Sequence, residues 1–96
     1  MMGGWIYFMT NRPFGPINTG VTNDISRRAR GHRNGKGSAF TARYHLFRLV
    51  YTERHEEIST AIQREKTIKH WPLMWKMNLI ESQNPLWEDL FKQLNG

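Results

Sequence analysis

Apolar positions along this chain change period from element to element, and the changes mark where each element begins. Trp5-Ile6-Tyr7-Phe8-Met9 is an unbroken aromatic and β-branched run, which reads as a strand. Asn11-Arg12-Pro13-Phe14-Gly15-Pro16 is turn chemistry, and Ile17, Thr19 and Val21 then alternate as a second strand to Thr22. These two strands predict an antiparallel hairpin. From Asp24 to His32 the period becomes helical, with Asn23 or Asp24 as the cap. Arg33 to Tyr44 has no period and reads as a flexible basic loop, and Leu46 to Tyr51 is a third strand. Glu57 to Lys69 is helical again and ends before Trp71-Pro72, because the residue before proline avoids helical geometry. Leu73 to Glu81 predicts a third helix, its Trp and Met side chains read as core. Asn84-Pro85 predicts the start of a fourth, with Asn as cap and Pro at the first helical position. The order β-β-α-β-α-α-α gives one domain over residues 1–96 in the α/β (α+β) class.

Two of these helices break the apolar rule. Ile25, Arg28, Ala29 and His32 fall on one face at about 100° per residue. Ile58, Ala61, Ile62, Glu65 and Ile68 share another, with Glu65 near its centre. A carboxylate turned toward a core needs a partner, a proton or a metal. An arginine, a histidine and a glutamate gathered in one place suit phosphate chemistry: a fork for phosphoryl oxygens, a proton carrier and a cation ligand. Taken singly, each residue has a plainer reading. Glu65 can pair with a nearby Arg or Lys, Arg28 can be a solvated helix charge, His32 can sit on the helix dipole, Tyr7 can be a core aromatic, and Asn84 can be only a cap.

Composition narrows the field. Ninety-six residues bury about 65% of their unfolded surface, so the core is modest and leans on its four Trp, five Phe and three Tyr. Without cysteine there is neither a disulfide framework nor a thiolate metal site. The early apolar run is too short for a signal h-region or a membrane span, which predicts a soluble, unexported, cytoplasmic protein with no membrane partner. The net charge of +6 favours a polyanion, most simply nucleic acid. Arg27, Arg28, Arg30, Arg33, Lys36 and Arg43 crowd one stretch, whereas the acids lie mostly later. The four histidines have no metal-ligand spacing, and no serine sits in a nucleophile elbow.

Taken in order, the residues resemble the GIY-YIG nuclease superfamily, specifically its small stand-alone bacterial members. Trp5-Ile6-Tyr7 resembles the first signature and Asn18-Thr19-Gly20 the second. Arg28, four residues before His32, resembles the family's Arg/His helix, and Arg64-Glu65-Lys66 the segment carrying its metal-binding glutamate. Trp71 to Trp75 and Asn84-Pro85-Leu86-Trp87 resemble the tail of the small members. The resemblance implies a three-stranded antiparallel sheet flanked by helices, and a DNA endonuclease using one divalent metal, Mg²⁺ or Mn²⁺, with branched or damaged DNA and repair as the setting. It places Tyr7, Arg28, His32 and Glu65 as catalytic and Glu65 as metal ligand. Asn18, Gly20, Arg27, Arg30, Lys36, Arg43 and Asn84 become substrate contacts. The chain departs from the family at Asn18, which stands where the second tyrosine is usual. Asparagine can orient a water but cannot titrate, so the rival reading is a degenerate domain that binds nucleic acid without cutting it. A third reading, a protein-interaction module, requires Trp87 and Phe91 to be exposed.

Overall fold

A computed structural model describes residues 3–33 and 45–95. Lys36, Arg43 and the side chains of His32 and Arg33 lie outside the described set, so the expectations placed on them are not addressed by it. The observed elements are β1 (Gly4–Thr10), β2 (Asn18–Thr22), α1 (Ile25–Arg33), β3 (Arg48–His55), α2 (Ile58–Lys69), α3 (Leu73–Gln83) and α4 (Phe91–Asn95). They form a three-stranded antiparallel sheet in the order β2-β1-β3 with helices on both faces. This is the α+β architecture expected, in the expected element order. No helix among the described residues is long and apolar enough to cross a membrane.

β1 is the central strand and is covered on both sides, which is why its apolar residues run without alternation. Ile6 and Phe8 face α2 and α3, packing with Val50, Tyr51, Ala61, Ile68, Ile80 and Trp87. Tyr7 and Met9 face α1, packing with Ile25, Ala29, Leu46 and Leu49. A bulge in β3 lets these two cores share one strand. Phe8 pairs with Tyr51 and Met9 with Leu49, leaving Val50 as the extra residue. Leu49 thus joins the α1 core, whereas Tyr51 joins the α2 core.

The outer edge of β3 is closed by the chain that follows α3. Leu90 N–H donates to the Leu49 carbonyl at 2.7 Å, and Leu49 N–H donates to Asp89 Oδ1 at 3.2 Å. The Gln83 amide pairs with both backbone groups of Thr52, accepting from its N–H at 3.2 Å and donating to its carbonyl at 2.8 Å. Side chains thus take the place of a neighbouring strand.

Three features differ from expectation. β3 runs on to His55 rather than ending at Tyr51, because Thr52, Glu53, Arg54 and His55 continue to pair with β1. No helix starts at Asn84. The chain turns there, Trp87 N–H donating to the Asn84 carbonyl at 3.0 Å, and Trp87 enters the core with φ 56°, a left-handed backbone that stops a helix. The last helix begins only at Phe91. The apolar face of α3 is also not all core: Ile80 is buried, but Leu73, Met74 and Trp75 are exposed.

Candidate active site

The site is built on the α1 face of the hairpin. Tyr7 pairs with Gly20 across β1 and β2, and its ring lies over the glycine. A Cβ at position 20 would stand 2.3 Å from both Cζ and the hydroxyl oxygen of Tyr7, closer than real contacts allow. Glycine is therefore required so that a tyrosine can lie flat across the neighbouring strand. Asn18 pairs with Met9 two residues before Gly20, so strand alternation puts it on the same face as Tyr7.

α1 supplies the cation. Its start is set by Asp24, whose Oδ1 accepts from Arg27 N–H at 3.1 Å while its carbonyl accepts from Arg28 N–H at 3.0 Å. Thr22 Oγ1 accepts from Asp24 N–H at 3.1 Å and fixes the entry into the helix. Ile25 and Ala29 then bury against Tyr7 and Met9. Arg28 sits on the shoulder of that face rather than within it: the residue is exposed, yet its Nε donates to the Tyr7 hydroxyl at 3.0 Å. One end of the guanidinium is anchored on a phenol that is 2% exposed, and the rest is turned toward solvent. No carboxylate pairs with Arg28 among the described residues. Beside it lies a groove of about 530 Å³ lined by Thr22, Asn23, Asp24, Arg27, Arg28 and Gly31. Arg27 and Arg30 are exposed on the same helix. The arrangement is a planar cation held at one end over an open groove that two arginines and one aspartate line, which suits a phosphate diester.

Glu65 belongs to α2, on the opposite face of the sheet from α1, and among the described residues no hydrogen bond or ion pair joins it to Arg28. α2 packs through Ala61 and Ile68 on the face of Ile6 and Phe8, opposite α1. The side chain of Glu65 is only 13% exposed, and its ion-pair partner is Lys69 at 4.0 Å, a long contact to an ammonium that is itself 63% exposed. A carboxylate this sheltered with so loose a counter-charge has capacity for a cation. Among the described residues there is no group of three or more carboxylate or histidine ligands. A metal here would rest on one carboxylate, which fits Mg²⁺ because that ion keeps most of its waters and takes substrate phosphate as a further ligand.

Asn84 is elsewhere. It is 5% exposed, its Nδ2 donates to the Val50 carbonyl at 3.0 Å and to the Glu88 carbonyl at 2.8 Å, and its Oδ1 accepts from Glu88 N–H at 3.0 Å. Both amide donors are committed to tying the turn after α3 onto β3. Trp87 is fully buried and Phe91 is half-buried, so the exposure that an interaction module at this tail requires is absent.

A polar cluster at the β3–α2 seam was not visible in the sequence. Glu53 accepts from the Tyr51 hydroxyl at 2.7 Å and from Arg64 Nε at 3.2 Å, and lies 2.6 Å from His55 Nε2. Burial alone would raise its pKa, but the hydrogen bonds from Tyr51, His55 and Arg64 outweigh it and hold the carboxyl below its usual range. Burial, and then the neighbouring carboxylate, push the Tyr51 phenol well above its ordinary value. The signal was the i, i+2 spacing of Tyr51, Glu53 and His55, legible only once the strand is known to continue that far.

Residues 3–78 match the GIY-YIG catalytic domain family. A UPF0213 protein of Oceanobacillus iheyensis is 37% identical over 65 residues, spanning 68% of this chain and 76% of the relative. A UPF0213 protein of Staphylococcus aureus is 33% identical over 69 residues, spanning 72% and 84%. The solution NMR structure of a UPF0213 protein from Bacillus halodurans superposes with a TM-score of 0.57 at 30% identity, covering 95% of this chain and 96% of that one. The family implies nuclease-type function on nucleic acid. With the family's model matched over most of the chain's length, this chain belongs to the GIY-YIG catalytic domain family.

Proposed function

We propose that the protein is a divalent-metal-dependent endonuclease that hydrolyses DNA phosphodiester bonds, with branched or damaged DNA as the preferred form. The observation that carries this is the Arg28 Nε–Tyr7 hydroxyl bond of 3.0 Å formed over Gly20, beside the groove that Arg27 and Arg28 line. Arg28, held by Nε, presents its remaining N–H groups to the non-bridging oxygens of a phosphate, where the transition state gathers charge. Tyr7 or His32 moves the proton of the attacking water. Arg27 and Arg30, with Lys36 and Arg43 in the basic segment, contact flanking phosphates and make binding fall steeply with salt. Glu65 is the residue that would hold Mg²⁺ or Mn²⁺. When bound, the ion supplies Lewis-acid stabilisation of the leaving oxygen. With most contacts to the backbone, sequence preference is weak.

The test is cleavage of supercoiled, linear and forked DNA with Mg²⁺ by the wild-type chain, Arg28→Ala and Glu65→Ala. Cutting by the wild type alone supports the proposal; equal cutting by all three identifies a contaminant and ends it.

Asn18 favours a second reading, because it lies on the face of Tyr7 in place of a second phenol. In that reading the chain binds nucleic acid and does not cut it. A silent wild type that gains cleavage as Asn18→Tyr would establish this; an active wild type removes it.

A further inference from the structure

The first turn of α3 exposes three large apolar side chains in a row, Leu73 at 56%, Met74 at 62% and Trp75 at 55%. Trp75 is not loose. Its ring stands edge-on to Trp71, centroids 5.8 Å apart at 76°. Trp71 packs against the α2-side core and is covered by the Arg64 guanidinium, 5.1 Å from its ring centroid. A shallow groove of about 430 Å³ runs beside the pair, lined by Trp71, Trp75, Asn78, Leu79 and Ser82. It shares no residue with the Arg28 groove.

Its rim is basic. Lys76 Nζ donates to the Lys69 carbonyl at 3.1 Å, at the C-terminal end of α2. Burial, and then the positive charge of Lys69, lower the pKa of Lys76, so the two ammoniums repel one another. Lys66 and His70 are exposed nearby in the sequence. Of the acids of this stretch, Glu81 Oε2 accepts from Trp87 Nε1 at 3.3 Å, and Glu65 lies 4.0 Å from Lys69. A rigid aromatic plane beside mutually repelling cations calls for a flat, apolar ligand that carries negative charge.

We propose that this patch is a stacking platform for an unpaired nucleobase of a DNA strand, with Trp75 against the base and Lys69 and Lys76 on the adjoining phosphate. The inference rests on the nucleic-acid reading above and adds a second contact surface to it, one that favours strands with bases already out of the duplex. Base–aromatic stacking is indifferent to sequence, since every base has a π-face. A second copy of the chain is a poorer occupant. In a two-fold interface the patch would meet itself, setting two like-charged surfaces face to face.

The experiment measures binding of a fluorescein-labelled oligothymidylate of about 12 nucleotides by anisotropy. Trp75→Ala is expected to weaken it by roughly 5- to 100-fold, and Trp75→Phe to retain most of the affinity. Lys76→Gln is expected to flatten the salt slope by about 0.7. Trp75 is exposed, so thermal melts of both Trp75 variants should match wild type. Unchanged affinity in Trp75→Ala overturns the proposal. So does a wild-type dimer that Trp75→Ala converts to monomer, or loss of binding to phosphatidylserine vesicles in Trp75→Ala with oligothymidylate binding intact. A chain that cuts no DNA but loses oligothymidylate binding in Trp75→Ala keeps this inference without the nuclease. Arg28-dependent cutting with unchanged Trp75→Ala binding does the opposite.

Discussion

Tyr7 and Tyr51 are two buried phenols on opposite faces of one sheet, and the difference between them separates site from scaffold. Tyr51 donates to Glu53, and that carboxylate is already matched by Arg64 and His55. The cluster is closed: donors meet acceptors, charge meets charge, and its effect is to staple β3 to α2. Tyr7 accepts from Arg28, but no carboxylate balances the guanidinium among the described residues, and its far side opens on a groove. Both are buried tyrosines bonded to a charged side chain, so neither burial nor polarity alone distinguishes them. What distinguishes them is whether the network has spare bonding capacity. A network without any holds a fold together; one that ends in an open cation is ready for an anion.

This contrast can be broken by substitution. The largest effect is expected from Arg28→Ala, which should cut the cleavage rate by about 10²- to 10³-fold, the size of losing a preorganised transition-state donor. Its thermal midpoint should stay near wild type, since Arg28 is exposed. A large drop in that midpoint would place Arg28 with the scaffold. Asn84→Ala should show the reverse. With a buried amide making three hydrogen bonds, it should lose about 2–3 kcal/mol in urea unfolding while the folded fraction keeps its rate. A rate loss at unchanged stability would return Asn84 to the site.

Gly20→Ala tests the junction of the two roles. The added Cβ collides with Tyr7, so a stability loss of about 1–3 kcal/mol should accompany a fall in rate. Glu53→Gln should cost about 1–2 kcal/mol at neutral pH. Because the folded pKa of Glu53 is lowered, its stabilisation is complete above the unfolded carboxyl value and fades as pH falls through the folded one. The gap between wild type and Glu53→Gln should therefore close in melts taken at pH below the usual carboxylate range, and a gap constant with pH would refute the ionised hub. The smallest effect is Thr19→Val. The Thr19 hydroxyl is buried with no hydrogen-bond partner among the described residues, so removing it should stabilise by up to about 1 kcal/mol.

The element order was legible because it follows from local rules. The uninterrupted run of β1, the Asp24 cap of α1 and Pro72 after α2 each act within a few residues. The Tyr7–Arg28 pair was legible as two residues of one family pattern, and the collision that makes Gly20 necessary was not, because it depends on how two strands sit side by side. Asn84 was misleading for a related reason: Asn-Pro suits a helix start, but the buried ring of Trp87 takes the chain into a left-handed turn first. The α3 face misled through pattern as well. Met74, Met77 and Ile80 have helical spacing suited to burial, yet only Ile80 of the three is buried, and Leu73, Met74 and Trp75 are exposed.

By itself the sequence determined the number and order of the elements, the basic character of the α1 region and the resemblance to the family. Periodicity, capping and charge are properties of neighbours along the chain, and they survive without tertiary contacts. Only the folded structure decided which polar groups are used up. The β3 bulge sends Leu49 and Tyr51 to different cores, Glu53 is claimed by three partners, Asn84 is spent on the sheet edge, and Arg28 is left, among the described residues, with its one side-chain bond to Tyr7. That division depends on distances between residues far apart in sequence, and hydrogen bonds act only over such distances, about 3 Å.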